Sequence, residues 1–217
     1  MAGLQPARVE LDHVLIAVAD LTAAASFVEA RYGLTSIEGG RHPGWGTANR
    51  VVPLGSAYLE LVAVVDRAQA IKSAFGNWVA HAASESPRPL GWAVRTDDLE
   101  AVTNRLHLTA AGGSRVTRDG RRVRWWLAGV EQAAAGSVLP FFIQWGQGTR
   151  LPGSAPVLHA AGEVAIRELQ LTGDAHHLAA WLGDHRIPLS VVPGEPALTA
   201  VVLATAAGQI ILGDGLT

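Results

Sequence analysis

Apolar and polar positions along the chain fall into blocks that repeat one order of elements. Leu11-Asp12-His13-Val14-Leu15-Ile16-Ala17-Val18 is a short, β-branched apolar run bounded by Ala19-Asp20, which predicts a buried strand with His13 on the face of Leu11, Leu15 and Ala17. Asp20 or Thr22 can then cap a helix whose apolar positions Leu21, Ala25, Val28 and Tyr32 recur at three- and four-residue steps, and Gly33 stands where it would stop. A strand near Ser36, a turn-rich loop over Gly39–Gly46, and strands over Asn49–Pro53 and Ala57–Val65 complete a βαβββ unit. Ile71, Phe75, Trp78 and Ala82 share one helical stripe, so Asp66–Ser86 predicts an amphipathic connecting helix that ends before Pro87 and Pro89.

The order then restarts. Leu90–Val94 reads as a strand, Asp97 or Asp98 as a cap, Leu99, Val102 and Leu106 as a helical stripe closed by Gly112-Gly113, and Ser114–Thr117, Arg122–Val130 and Leu139–Trp145 as three strands. Asp98-Leu99 repeats Asp20-Leu21 at an offset of 78, so the repeat is internal. A shorter third copy starts at Ile166–Leu171, with Asp174 capping a helix through Leu178 and Leu182 that ends at Gly183. Its strands fall over 189–192, 198–204 and 209–212. The expected fold class is α+β, with paired βαβββ modules in a half-barrel and a third partial module at the C-terminus. A domain over 8–147 holds module one (about 11–66), the connecting helix (67–86) and module two (about 89–147). A Pro- and Gly-containing linker over 148–162 leads to the third partial module, 163–217, packed on the same domain.

Composition narrows the partners. With 49% hydrophobic residues in 217, the chain can bury a sizeable core, and 17% charged residues with a net charge of −2 give no positive field for nucleic acid. No Cys is present, which removes disulfides, thiolate nucleophiles and Cys-based metal sites and leaves His, Asp, Glu and Gln as metal ligands. The uncharged stretch Pro196–Gly213 reads as two buried strands around a turn instead of a membrane span. Nothing at the N-terminus reads as a secretory signal, so the expected location is the cytoplasm.

Candidate chemistry concentrates in a few positions. His13 is either a core residue or a ligand. Glu60 lies inside the apolar run Tyr58–Val65, where an unpaired carboxylate would cost several kcal/mol, so it needs a metal, an Arg or a protonated hydrogen bond. Gln144 takes a comparable place in Phe141–Trp145. His42, in a loop with Gly and Pro, is either an exposed turn residue or close to a ligand, with Asn49 and Arg50 on the next strand. Arg122, Arg124 and Trp126 alternate onto one face of their strand, which is either a solvated edge or a concave wall suited to an anionic or planar ligand.

The pattern Leu11-Asp12-His13-Val14 with Ala19-Asp20-Leu21, Tyr58-Leu59-Glu60-Leu61 and a second unit closing in Ile143-Gln144-Trp145 resembles the vicinal oxygen chelate superfamily. The segments Gly40–Arg50 and Pro140–Gly146 resemble its glyoxalase-like branch. The resemblance covers Leu11 to about Gln147. It implies metal ligation by His13 and Glu60, with the second pair falling on Gly91, which has no donor, and on Gln144, a weak neutral ligand. Two readings follow. One is a lyase or isomerase acting on a small oxygenated metabolite, with a weakly bound zinc, nickel or manganese on His13, Glu60 and Gln144 and with Glu60 and His42 catalytic. The other is a metal-free protein of the bleomycin-resistance type that binds a small molecule. His42, Trp45, Asn49, Arg124 and Trp126 are the expected ligand contacts in both. The expected partner is a small molecule, with no nucleic acid and no membrane; a homodimer is compatible with either reading.

Overall fold

The computed structural model describes residues 9–83, 88–116 and 122–213. The first repeat forms β1 (Val9–Ala17), α1 (Leu21–Tyr32), β2 (Ile37–His42), β3 (Thr47–Leu54) and β4 (Ala57–Val64). Two short helices, α2 (Arg67–Ala70) and α3 (Ala74–Ala82), lead to the second repeat. That repeat comprises β5 (Arg88–Thr96), α4 (Leu99–Leu106), β6 (Ala111–Val116), β7 (Arg122–Ala128), α5 (Val130–Ala134) and β8 (Phe141–Trp145). The repeated cap is real: Asp20 accepts from the Ala23 N–H and Asp98 from the Ala101 N–H, each closing the open end of its helix.

The eight strands form one sheet in the order β2-β3-β4-β1-β5-β8-β7-β6. Each repeat pairs its first and last strands in parallel, β1 with β4 and β5 with β8, and the repeats meet along the antiparallel β1–β5 seam. The sheet curls until its two outer strands approach, where Arg115 of β6 donates from Nη1 to the Gly39 carbonyl of β2. Its concave face carries Leu15, Val62, Ala93, Trp125, Leu127, Phe141 and Ile143, on which α3 places Phe75 and Val79. The convex face joins a larger core with α1, α4 and the C-terminal unit.

The C-terminal unit contains β9 (Val164–Thr172), α6 (Ala175–Leu182), β10 (Leu189–Val192), β11 (Ala197–Thr205) and β12 (Gly208–Gly213). Its element order is the expected βαβββ, but its strand order is β10-β9-β11-β12, with β9 between the first and second strands that follow the helix. Trp181 on α6 fastens it to the second repeat: its ring lies 5.8 Å from that of Phe142 and its indole N–H donates to the Pro140 carbonyl at 2.8 Å. Pro196–Gly213 supplies the β11–β12 hairpin, and no described helix is long and apolar enough to cross a membrane.

Several sequence expectations change. The connecting helix is broken, because Asp66 and Ser73 each accept from a backbone N–H three residues on and start separate helices, and Ile71 is exposed at the break; its expected end at 84–86 lies outside the described residues, as do Thr117, residue 8 and residues 214–217. Gly39–His42 is a strand with a bulge, and only Pro43–Trp45 turns. Helix α4 stops at His107 in the left-handed region (φ 55°), which leaves Gly112-Gly113 free to lie in β6. Residues 148–162, read as a linker, form a strap on the first repeat: the Gly153 carbonyl accepts from Gly55 N–H at 2.9 Å, and His159 bonds the Thr35 N–H through Nδ1 and the Pro53 carbonyl through Nε2.

Candidate functional site

The concave face holds a small cavity of about 40 Å³. Its polar side comes from the first repeat and starts at β1. The β1–β5 register slips between Leu11 and His13, so Asp12 is a bulged residue. The bulge turns Leu11 to the convex core with Val14 and Ile16, away from the face of His13 that alternation predicted, and brings the consecutive side chains Asp12 and His13 together on the concave side. His13 Nδ1 donates to Asp12 Oδ1 at 2.7 Å, and its Nε2 lies 3.3 Å from Glu60 Oε2. Both carboxylates have further donors. Trp145 Nε1 reaches Asp12 Oδ2 at 2.9 Å, and Asn49 Nδ2 reaches Glu60 Oε1 at 2.7 Å. Asn49 is itself fixed by the Gly40 N–H, and a Cβ on Gly39 would sit 1.9 Å from its Oδ1, so the glycine bulge in β2 is what lets Asn49 reach Glu60.

Electrostatics divides the two histidines of the cavity. Burial alone would lower the pKa of His13, but its hydrogen bond to Asp12 and the charges of Glu60 and Asp12 outweigh it, and the pKa is raised. His42 goes the other way, because burial dominates and the pKa is lowered; its Nδ1 lies 3.1 Å from Thr47 Oγ1. Tyr58 stacks on His13 with ring centroids 4.7 Å apart, and burial, with the charges of Asp12 and Glu60, holds its hydroxyl well above its ordinary pKa.

The second repeat supplies an apolar wall. Gly91, matched to His13 by the offset of 78, faces Trp78, whose ring would lie 2.3 Å from any Cβ there, and the residue directly across the seam from His13 is Ala93. On β8 the inward side chains are Phe141, Ile143 and Trp145. Gln144 points to the convex side and accepts from the Leu99 N–H at the start of α4, so it caps a helix and does not approach Glu60. On β7 the inward residues are Trp125 and Leu127; Arg124 and Trp126 lie on the outer face, with Trp126 41% exposed. The expected wall of Arg124 and Trp126 was displaced by a one-residue phase, and the arginine that does line the cavity is Arg115. His13, His42, Trp45, Asn49 and Glu60 all line it.

Sequence reasoning missed Asp12, Arg115, Trp125 and Trp145. Two adjacent polar residues inside an apolar strand are a bulge signal that could have found Asp12. Gly113 opposite Trp125 is the signal for Trp125, since a Cβ on Gly113 would lie 2.5 Å from the indole nitrogen.

A carboxylate behind an imidazole is the arrangement that orients a metal-ligating histidine, so the donor set decides the fit. His13 Nε2 and Glu60 Oε2 are two donors, His42 lines the same cavity with its Nδ1 on Thr47 but does not join them in a three-ligand group, Gln144 is turned away, and Ala93, Phe141 and Ile143 offer none. Among the described residues no group of three or more His, Cys, Asp or Glu side chains is placed to hold a metal ion. Catalytic sites for such ions usually offer three protein ligands, and this set does not fit a resident divalent ion.

Comparison with known proteins follows the same outline. The family model of a glyoxalase-like domain matches residues 11–185, which includes the strap and α6. A hypothetical protein from Staphylococcus aureus superposes with a TM-score of 0.70 at 16% identity, covering 91% of this chain and 92% of its own. Methylmalonyl-CoA epimerase from Mycobacterium tuberculosis gives 0.43 at 21% identity over 62% of this chain and 85% of its own. The Streptomyces coelicolor methylmalonyl-CoA epimerase, in complex with 2-nitronate-propionyl-CoA, gives 0.45 at 18% over 64% and 97%. No curated protein matches the sequence.

Proposed function

Because the chain belongs to the glyoxalase-like domain family of the vicinal oxygen chelate superfamily, we propose that its concave cavity binds a small oxygenated molecule and isomerises it by proton transfer carried by Glu60 and His13. The observation that carries this reading is the buried triad in which His13 is held between the carboxylates of Asp12 and Glu60, at 2.7 and 3.3 Å, in a cavity whose opposite wall is aromatic and aliphatic. Glu60 takes the proton from a carbon next to a carbonyl, the C–H electron pair becomes the new C=C bond, and the carbonyl π pair moves to oxygen. The His13 imidazolium beside Glu60 stabilises the oxyanion; in a 2-hydroxycarbonyl substrate the hydroxyl proton then passes to that oxygen through His13, and Glu60 returns its proton to the former carbonyl carbon, which completes the isomerisation. Asn49 positions Glu60 and Asp12 positions His13. His42, kept neutral by burial, is a second proton carrier at the same cavity. The aromatic wall keeps water from the reacting carbon.

The test is deuterium wash-in. In D₂O, hydroxyacetone or 2-oxobutyrate should exchange its α-protons at least about a hundredfold faster with protein than without, a size usual for one general base. Glu60→Gln should return the rate to within a few-fold of buffer, and EDTA or added zinc, nickel or manganese should leave the wild-type rate unchanged. Binding without exchange would reduce the cavity to a binding site, and exchange that depends on an added ion would restore the metal-dependent reading.

A further inference from the structure

Arg115 has a place in the cavity that proton transfer does not use. The β6–β7 register sets it opposite Val123 on the concave face, next to Gly113 and Trp125. Its Nη1 is anchored on the Gly39 carbonyl across the closing edge of the sheet, and Gly40 makes the approach tolerable, since a Cβ there would lie 2.9 Å from Arg115 Cδ. Neither cavity carboxylate needs it: Asp12 is held by His13 and Trp145, and Glu60 by His13 and Asn49. Its charge is nonetheless felt inside, where it acts to lower the pKa of both His42 and Tyr58. A guanidinium carries five N–H donors in a plane that matches a carboxylate, so anchoring one nitrogen fixes the group without exhausting it.

Around it the rings of Trp45, Phe75, Trp125 and Phe141 pack on one another at centroid distances from 5.1 to 6.4 Å, which makes a continuous aromatic wall for a flat body to lie against. We propose that Arg115 is a specificity-determining residue and that the cavity selects a planar carboxylate, with the carboxylate on Arg115 and the flat part against the aromatic wall. This rests on the reading that the cavity takes a small oxygenated molecule, and it adds that molecule's charge and shape. An aromatic wall near Glu60 would by itself suit an amine, but a guanidinium on the same wall opposes a second cation.

Benzoate, benzamide and benzylamine have nearly the same size and differ in charge, so their dissociation constants, measured by ligand-observed NMR on the full chain, decide the matter. Benzoate should bind at least tenfold tighter than benzamide, with benzylamine weakest. Arg115→Gln should remove that preference while benzamide binding, which also reports folding, changes less than twofold; Arg115→Lys, which keeps the charge and loses the fork, should retain part of it. Benzamide or benzylamine binding as tightly as benzoate, a preference that survives Arg115→Gln, or no binding of any of the three would overturn the proposal. Glu60→Gln should keep benzoate ahead of benzamide, so loss of exchange with this order intact counts against proton transfer alone, and loss of the order with exchange intact counts against Arg115 alone.

Discussion

Replacing Trp181 by alanine is expected to lower the unfolding free energy by about 3–5 kcal/mol, the range for truncating a large buried aromatic. The side chain is 8% exposed and belongs to the larger core, packs at a tilt against Phe142 and fills space against Gly129, where a Cβ would lie 3.0 Å from its Cζ2. Removal also takes the indole donor from the Pro140 carbonyl. Phe142 sits on β8 beside the inward-facing Phe141 and Ile143, so the loss at the convex face also loosens the wall of the cavity. Urea unfolding followed by circular dichroism should show the midpoint fall with little change in slope, because the larger core runs through both sheets. A separate early transition for the C-terminal unit, with the main midpoint unchanged, would mean that the two sheets are energetically independent.

Asp12→Ala is expected to cost a similar amount, about 3–5 kcal/mol, because it removes one partner of a buried ion pair and leaves the His13 and Trp145 ring N–H groups without their acceptor. Its pH dependence has a definite sign. His13 has a folded pKa raised above 6.5, so its contribution is fully present below 6.5 and is lost as pH rises through the folded value. His42 has a folded pKa lowered from 6.5, so its contribution is present above 6.5 and is lost as pH falls through the folded value. Asp12→Ala weakens the first and spares the second. The difference in unfolding free energy between wild type and Asp12→Ala should therefore be largest near pH 6 and shrink on the alkaline side. A constant difference across that window would show that Asp12 acts through packing and Trp145 alone.

The paired repeats were legible because their signals are local. Asp20, Asp98 and Asp174 each cap a helix through bonds three residues away or closer, and such short-range geometry is written in the order of residue types. The face a strand residue takes is less local. One bulge at Asp12 reverses Leu11, and one residue of phase on β7 exchanges Arg124 and Trp126 for Trp125 and Leu127, because the side-chain period of a strand is two. Glu60 in an apolar strand announced that it needed a partner, but the partners are Asn49 and His13, which only the sheet register brings to it. Gln144 occupied the expected strand and faced the other side, where the first N–H groups of α4 needed an acceptor. The C-terminal strand order was out of reach for the same reason: an order of elements does not specify which strands pair.

The proposed proton-transfer centre of His13, Asp12 and Glu60 is complete in itself, with His13 as an imidazolium. The most direct measurement is a ¹⁵N spectrum of the imidazole rings at pH 6.5, recorded before and after one equivalent of zinc. His13 should carry protons on both ring nitrogens, and zinc should leave its resonances in place. A neutral His13 whose Nε2 signal shifts on adding zinc, with Glu60→Gln abolishing the shift, would contradict it.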